Sequence, residues 1–179
     1  MSTDDWCTGP EVCDLNDEFF DGPVDFDPFS NERSIVRARK MLTAGAHHVK
    51  WPGRTWWDNP PYSNLLECTI YALEQYSTLY HGQQKELLML VPVATSTEWH
   101  RRATDGVVMR RGVIKPSLIF THRLKFIDEL GKVADSARFD SLLMYFGPRH
   151  QRFHEVYEPL CSWRVMAPIQ NQSYELMAA

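Results

Sequence analysis

The sequence has no long hydrophobic run and few cysteines, and each absence excludes a class of protein. No stretch approaches the roughly 18 consecutive apolar residues that a membrane-spanning helix requires, and residues 1–5 are polar and acidic, unlike a secretory signal. The four cysteines form no CxxC pair, so we expect reduced thiols in a cytoplasmic protein rather than disulfides or a zinc site. The sequence therefore predicts no membrane association and no bound metal.

The 9 glycines and 11 prolines are too few for a collagen-like or low-complexity chain. The chain instead has 44% hydrophobic and 12% aromatic residues over 179 positions, a composition that is typical of a globular domain with a sizeable core. No internal repeat and no Gly/Ser-rich or Pro-rich linker divides it. We therefore predict a single compact domain over residues 1–179.

Lysine and arginine are absent from residues 1–32, although that segment contains ten of the 23 acidic residues. The rest of the chain is therefore net positive, even though the whole carries a charge of -4. Residues 100–154 hold the excess, with eleven basic and five acidic residues. The excess is either an ordinary solvated surface or a face that neutralises phosphates. The candidate phosphate-contacting residues are Arg101, Arg102, Arg110, Arg111, Lys115, Arg123 and Lys125.

Predicted strands alternate with helical patterns along the chain. Residues 87–93 and 142–146 are continuous apolar runs, which is typical of strands covered on both faces. A helix is predicted from Ser63 or Asn64 to about residue 81, because apolar residues recur three or four positions apart there. Residues 31–43 suit a short helix or a structured loop. This alternation favours an α/β sandwich around a mostly parallel sheet.

The most informative segment is residues 58–63, Asp-Asn-Pro-Pro-Tyr-Ser, directly after a predicted strand at 55–57. Ligands of open α/β sheets bind at this end of the strands. The two prolines hold the backbone extended, so the carbonyl oxygen of Pro60 and the side-chain oxygen of Asn59 become two neutral acceptors side by side. Two such acceptors can draw an amino nitrogen towards tetrahedral geometry and free its lone pair to attack. Tyr62 adds a flat face on which a base can stack.

These features leave alternatives open for the tetrapeptide at 59–62. It can be a rigid turn with a packed tyrosine and no chemistry. If it binds an amino group, the exocyclic amine of adenine and the amide of glutamine present the same hydrogen-bond donors. The pattern of residues by itself does not separate them.

Several segments resemble, in order, the motifs of the small phage-type (Dam-like) DNA N6-adenine methyltransferases. The Asn-Pro-Pro-Tyr tetrapeptide is the most specific of them, and the resemblance covers roughly residues 5–150. The matching segments are 6–12 (WCTGPEV), 25–31 (DFDPFSN), 51–55 (WPGRT), 59–63 (NPPYS), 90–100, 123–126 and 142–147.

The resemblance implies a Rossmann-like methyltransferase fold, with a mostly parallel central sheet and helices on both faces. It implies S-adenosyl-L-methionine as cofactor, DNA as partner, and methyl transfer to N6 of an adenine flipped out of the duplex. If the chain is phage-encoded, it would act in the host cytoplasm. Cofactor-binding elements would lie at about 5–45, the catalytic loop at 58–63 and the DNA-contacting region at about 100–154.

The resemblance also implies roles for individual residues. In the DNA-contacting region, the basic candidates would follow the phosphates. The catalytic residues would be Asn59, Pro60, Pro61 and Tyr62, and the cofactor-binding residues would be Thr8, Asp25, Asp27, Pro28, Ser30 and Asn31.

Two positions depart from the family pattern. Gly9 separates Thr8 from Pro10, where the family usually has Thr-Pro directly, and Asp58 is acidic where many relatives are apolar. Because the same pair of acceptors suits other amino groups, a methyltransferase of RNA adenine and one of a protein glutamine amide stay open as alternatives. The Gly9 departure leaves open a third, a catalytically silent relative that binds DNA or a protein. The sequence does not indicate the oligomeric state or the recognition sequence.

Overall fold

The computed structural model describes residues 6–78, 84–109, 112–128, 130–134 and 139–166. Helices and strands alternate through these ranges. The helices are α1 (Pro10–Phe20), α2 (Leu65–Ser77), α3 (Glu98–Asp105) and α4 (His150–Val156). The strands are β1 (Cys7–Thr8), β2 (Thr55–Asp58), β3 (Glu86–Pro92), β4 (Val107–Met109), β5 (Gly112–Ile114), β6 (Ser117–Thr121), β7 (Phe126–Ile127), β8 (Ser141–Phe146) and β9 (Cys161–Val165).

The main sheet has five strands in the order β2-β3-β8-β6-β9. Only β2 and β3 pair in parallel, and the other three pairings are antiparallel. The α/β class is confirmed, but the prediction of a mostly parallel sheet is wrong, and a Rossmann-like sheet is not confirmed. Neighbouring parallel strands need a crossover, usually a helix, and no described residue between β6 and β8 is helical.

Beyond β2, at the edge of the sheet, further segments of the chain pair in parallel through isolated β-bridges. Phe26 pairs with Trp56 of β2, and Val24 and Asp27 pair with Ala38 and Met41. The segment 24–27 thus lies beside β2, while residues 31–43 form a loop rather than a helix. Because parallel segments end at the same edge, this arrangement brings the end of the 24–27 segment next to the end of β2.

The strand β3 separates two hydrophobic clusters, as its uninterrupted apolar sequence predicts. Leu88 and Leu90 pack with residues of α1 and α4 on one face. Leu87, Met89 and Val91 pack with residues of α2 and α3 on the other. Helices therefore cover both faces of the sheet. Within the described residues, no helix is both long enough and apolar enough to cross a bilayer.

Part of the basic segment contacts helix α1 directly. Its carboxyl-terminal carbonyl groups accept hydrogen bonds from two arginines of the basic segment, Arg149 to Phe19 O and Arg152 to Glu18 O. Both arginines also pair with Asp21, directly after the helix. Cations are favourable at a helix carboxyl terminus because the peptide dipoles leave partial negative charge there. Part of the positive excess therefore neutralises the acidic amino-terminal segment internally.

Candidate functional site

The loop at 58–62 begins where β2 ends. Asp58 is the last residue of β2 and is fully buried. Prolines 60 and 61 follow Asn59, and since proline has no backbone N–H, the strand pairing with β3 stops there. Tyr62 then opens a single 3₁₀ turn, Tyr62–Asn64, that leads into α2. The loop is therefore held between a buried strand and a helix.

The amino-terminal element meets this loop at Asn59. The side-chain amide of Asn59 donates from Nδ2 to Oγ1 of Thr8 over 3.3 Å. Thr8 is buried and lies in β1, where it pairs with Phe126 of β7. No described residue donates a hydrogen bond to Oδ1 of Asn59, which leaves that oxygen as an acceptor. The structure thus brings together two residues that are 51 positions apart in the sequence.

Glycine is required at position 9 because the backbone there lies very close to the chain just before β7. A Cβ at this position would overlap the backbone carbonyl oxygen of Lys125, just before β7. The backbone of Gly9 has an ordinary extended conformation, with φ -75°. Glycine is therefore needed for space and not for its conformational freedom. The departure from the family pattern lets β1 lie against β7 and holds Thr8 beside Asn59.

Of the two predicted cofactor-binding aspartates, Asp25 is already engaged within the fold. Its Oδ2 accepts the backbone N–H groups of Arg54 and Thr55, at 2.7 and 3.1 Å. Its Oδ1 forms an exposed ion pair with Arg39 at 3.5 Å. These contacts fix the turn before β2, where a Cβ on Gly53 would collide with the Asp25 side chain.

Asp27 and Asp58 differ from Asp25 because both are buried at the edge beside the loop. Oδ1 of Asp27 accepts the backbone N–H of Phe29 at 3.2 Å, and burial raises the pKa of this carboxyl to about 7. Both carboxyl oxygens of Asp58 are buried without a hydrogen-bond partner among the described residues. Burial, and then the nearby charge of Asp27, raises the pKa of Asp58 well above its ordinary value. Burial therefore shifts both carboxyl groups towards the neutral, protonated form.

The predicted cofactor-binding residues that follow Asp27 in the sequence are Pro28, Ser30 and Asn31. Pro28 and Ser30 are buried, and the Ser30 hydroxyl donates to the carbonyl oxygen of Asn31 at 3.4 Å. Asn31 connects this segment to the amino-terminal element, because its Oδ1 accepts from Sγ of Cys7 at 2.9 Å. Among the described residues, no group of three or more His, Cys, Asp and Glu side chains is arranged to hold a metal ion.

A small aromatic pocket lies against the loop. It has a volume of about 30 Å³, enough for one or two water molecules. The rings of Tyr62 and Phe139 are in contact across it, with centroids 5.3 Å apart. Sequence reasoning missed Phe139, because no motif or spacing links it to the loop 77 positions earlier. The lining residues are Trp6, Phe29, Asn59, Pro60, Pro61, Tyr62, Phe126 and Phe139.

The predicted phosphate-contacting residues are spread over several elements. Arg101 and Arg102 lie on α3 and form exposed ion pairs with Glu98, while Arg101 also pairs with Asp105. No hydrogen bond or ion pair between described residues links these two arginines to the 58–62 loop.

Three further candidates lie beyond α3. Lys115 and Lys125 are exposed, and Lys125 immediately precedes the pocket residue Phe126. Arg123 pairs loosely with Asp140 at 3.8 Å. Arg110 and Arg111, which the sequence also predicts to contact phosphates, lie outside the described residues.

Comparison with known proteins identifies the family. The sequence profile of the DNA N-6-adenine-methyltransferases (Dam) matches residues 1–159. The chain belongs to the DNA N-6-adenine-methyltransferase family. It is also similar to the DNA N-6-adenine-methyltransferase of Haemophilus phage HP1 (strain HP1c1), with 29% identity over 147 residues, which are 80% of this chain and 79% of the phage protein. Family membership makes the chain a transferase, and the matched region contains the Asn59–Tyr62 loop, β1 and Phe139.

Proposed function

We propose that this chain transfers a methyl group from S-adenosyl-L-methionine to N6 of adenine in DNA. One observation carries the proposal within the family: Asn59 donates its amide hydrogen to Thr8 and keeps Oδ1 as an acceptor beside an aromatic pocket. An adenine amino group presents two N–H donors. Oδ1 of Asn59 would accept one and the carbonyl oxygen of Pro60 the other.

The proposed chemistry needs positioning more than a strong base. When bound, S-adenosylmethionine supplies a methyl group on a positively charged sulfur. The lone pair of the adenine nitrogen would form the new N–C bond while the C–S bond breaks with its electrons going to sulfur, and the nitrogen would then release one proton to water. Asn59 and Pro60 would hold the nitrogen in line with the methyl group, and such orientation accounts for much of the rate acceleration in group-transfer reactions.

The buried carboxyl groups fit a cofactor that carries positive charge and hydrogen-bond donors. S-adenosylmethionine has an ammonium group, a sulfonium and ribose hydroxyls, and the two oxygens of Asp58 have no donor among the described residues. We assign cofactor contacts to Asp27 rather than to Asp25, because Asp25 already accepts two backbone N–H groups. Thr8, Pro28, Ser30 and Asn31 would complete this part of the site.

The substrate adenine must leave the duplex before it can reach the loop, at a cost of a few kcal/mol. Stacking on Tyr62 would return part of that cost, since a base on an aromatic ring gains about 1–3 kcal/mol. The exposed basic side chains would neutralise the flanking phosphates. We propose this role for Arg101, Arg102, Arg110, Arg111, Lys115, Arg123 and Lys125.

The proposal is tested by measuring N6-methyladenine in DNA incubated with labelled S-adenosylmethionine. Asn59→Ala removes the acceptor, and we expect a loss of methyl incorporation on the order of 100-fold or more. Asn64→Ala is the matched control, because Asn64 is an exposed asparagine that bonds to Glu67 outside the aromatic pocket. Equal incorporation by the Asn59 and Asn64 variants would remove Asn59 from the reaction.

A substrate panel separates the other candidates. DNA, RNA and a glutamine-containing protein are offered under the same conditions, and label in RNA or protein alone would change the substrate assignment. A catalytically silent relative would bind DNA without binding the cofactor. Calorimetry with S-adenosylmethionine identifies a silent relative, because such a protein would give no heat of binding at millimolar cofactor.

A further inference from the structure

The contact between Tyr62 and Phe139 joins two separate parts of the chain. Tyr62 lies in the 3₁₀ turn before α2, and Phe139 lies two residues before β8. Their ring centroids are 5.3 Å apart and the ring planes are inclined by 59°. Each ring packs on a different hydrophobic cluster, Tyr62 on the α2 and α3 side and Phe139 on the α1 and α4 side. The pocket at the loop therefore opens between the two sides of the sheet.

The Tyr62–Phe139 contact occupies the space that a base would need. The pocket volume of about 30 Å³ holds one or two water molecules, and a purine ring is several times larger. Seating a base against Tyr62 therefore requires another lining side chain to move. The Tyr62 hydroxyl is buried and has no hydrogen-bond partner among the described residues, so the closed arrangement carries a desolvation cost that opening can relieve.

Of the three phenylalanines that line the pocket, Phe139 can move at the lowest cost to the core. Phe126 is 3% exposed and belongs to the β1–β7 pair, so moving it would disrupt that pairing. Phe29 contacts both His47 and Trp51. Phe139 is only partly buried, lies outside the strand that follows it, and contacts Tyr62 across the pocket.

We propose that Phe139 is the second aromatic face of the base site. In the free protein it fills the site against Tyr62, and the flipped base replaces this ring contact and stacks between the two rings. The inference rests on the proposed function, and it assigns to Phe139 a base-binding role that no sequence motif indicates. Stacking suits such a role, because a flipped base presents two π-faces and Tyr62 covers one of them.

The test compares the DNA affinity of Phe139→Leu with that of wild type. The DNA contains the target adenine, which is first identified by sequencing the modified bases that the wild-type protein makes. Leucine keeps an apolar side chain of moderate size but cannot stack. We expect the dissociation constant for this DNA to rise roughly 5- to 150-fold, the range that corresponds to one base–aromatic stack. Phe139→Tyr should restore binding. Phe120→Leu is the matched control, since Phe120 contacts Trp163 at the far edge of the sheet.

A second DNA, with an abasic site at the target position, separates base stacking from a structural role. We expect wild type and Phe139→Leu to bind abasic DNA equally, because no base enters the pocket. Equal affinity of both proteins for intact DNA would overturn the proposal, and so would the same penalty on abasic DNA. If wild type makes no N6-methyladenine, the proposed function fails, and this outcome is visible before any Phe139 variant is compared.

The melting temperature of each variant monitors folding. If Phe139→Leu melts well below wild type, Phe139→Tyr and Phe139→Trp decide the question, since both keep a ring on the hydrophobic cluster. Binding of intact DNA by these two at the wild-type level, with abasic DNA unchanged, supports the stacking role. A loss of binding in both aromatic variants would overturn it.

Discussion

Arg149 and the α3 arginines, Arg101 and Arg102, belong to the same basic segment, but they are held in different ways. Nε of Arg149 donates to the buried Glu86 at 2.8 Å, and its guanidinium lies 4.6 Å from the centroid of the Phe19 ring. The side chains of Arg101 and Arg102 are 57% and 54% exposed, and both pair with Glu98 at the surface. Arg149 therefore holds elements together, while the α3 pairs can exchange for solvent or another anion at low cost.

The difference shows what a charge count along a sequence measures. A charge count along the sequence treats buried and exposed charges alike, but the two kinds contribute differently to stability. A buried charge is costly to leave unpaired, because it has been removed from water, whereas the attraction between exposed charges is screened by salt and solvent. Glu86 and Tyr145 complete the Arg149 network, with the Tyr145 hydroxyl donating to Glu86 at 2.6 Å. The α3 pairs lower the pKa of Glu98, chiefly through its hydrogen bond to Arg102. Only the exposed group is available to a phosphate backbone.

The largest expected effect is on folding, from Arg149→Ala. The change leaves Glu86 buried without its cationic partner and removes one of the two arginine hydrogen bonds to the carbonyl oxygen of Phe19. Breaking such a buried pair costs about 3–5 kcal/mol. Urea unfolding measures this loss. Arg101→Ala is the control, with little expected change. Losses of similar size in the two variants would remove the distinction between the groups.

Asp27 provides a second test, because it is a buried carboxyl without a cationic partner among the described residues. Its pKa is about 7 in the folded protein, against an ordinary value of 3.8. The folded state therefore keeps a proton that the unfolded state releases between these values, so this contribution to stability is complete below about pH 4 and is lost as pH rises through 7. The shift corresponds to at most about 4 kcal/mol.

Asp27→Asn should therefore flatten the decline in the free energy of unfolding between pH 4 and pH 7, as measured by urea unfolding across that range. The buried Asp58 and, with the opposite sign, the histidines whose pKa values burial lowers would contribute to the slope that remains. Asp14→Asn is the control, because it makes the same change at an exposed position of α1. An Asp27→Asn profile parallel to wild type would contradict the assignment.

The smallest expected effect on stability comes from replacing both Arg101 and Arg102 by alanine. We expect little change in the melting temperature, because exposed pairs contribute little. The dependence of DNA affinity on salt should weaken instead, with the slope of log K against log salt falling by about 0.9 for each phosphate that is no longer neutralised. Arg37→Ala, an exposed arginine paired with Asp17 of α1, should leave the slope unchanged. An unchanged slope in the double variant would remove α3 from the DNA-contacting surface.

Much of the element content is predictable from local patterns. The apolar runs at 87–93 and 142–146 correspond to β3 and β8, and the helical spacing after Asn64 corresponds to α2. Helix α1 was not predicted, although Pro10 at its first turn and the buried Val12, Cys13, Asn16 and Phe19 are a readable signal. Strand direction was predicted wrongly, because an apolar run indicates burial on both faces and not the direction of the neighbouring strand.

The candidate site also contains a part that local sequence predicts and a part that it does not. Asn59 to Tyr62 could be recognised because proline constrains the backbone wherever it occurs. The contact with Thr8, the space requirement at Gly9 and the approach of Phe139 depend on segments that are far apart in sequence. Asp25 and Asp27 look equivalent in the sequence, but of the two only Asp27 is buried.

The sequence by itself determined the stiff Asn-Pro-Pro-Tyr corner, the doubly buried strands and the family, because these properties reside in neighbouring residues and their order. Tertiary structure alone decided which charges are buried and which rings meet at the corner. Burial and contact arise when segments that are distant in the sequence pack together. Packing can therefore change the protonation of a carboxyl group, or the partners of an arginine, although the sequence stays the same.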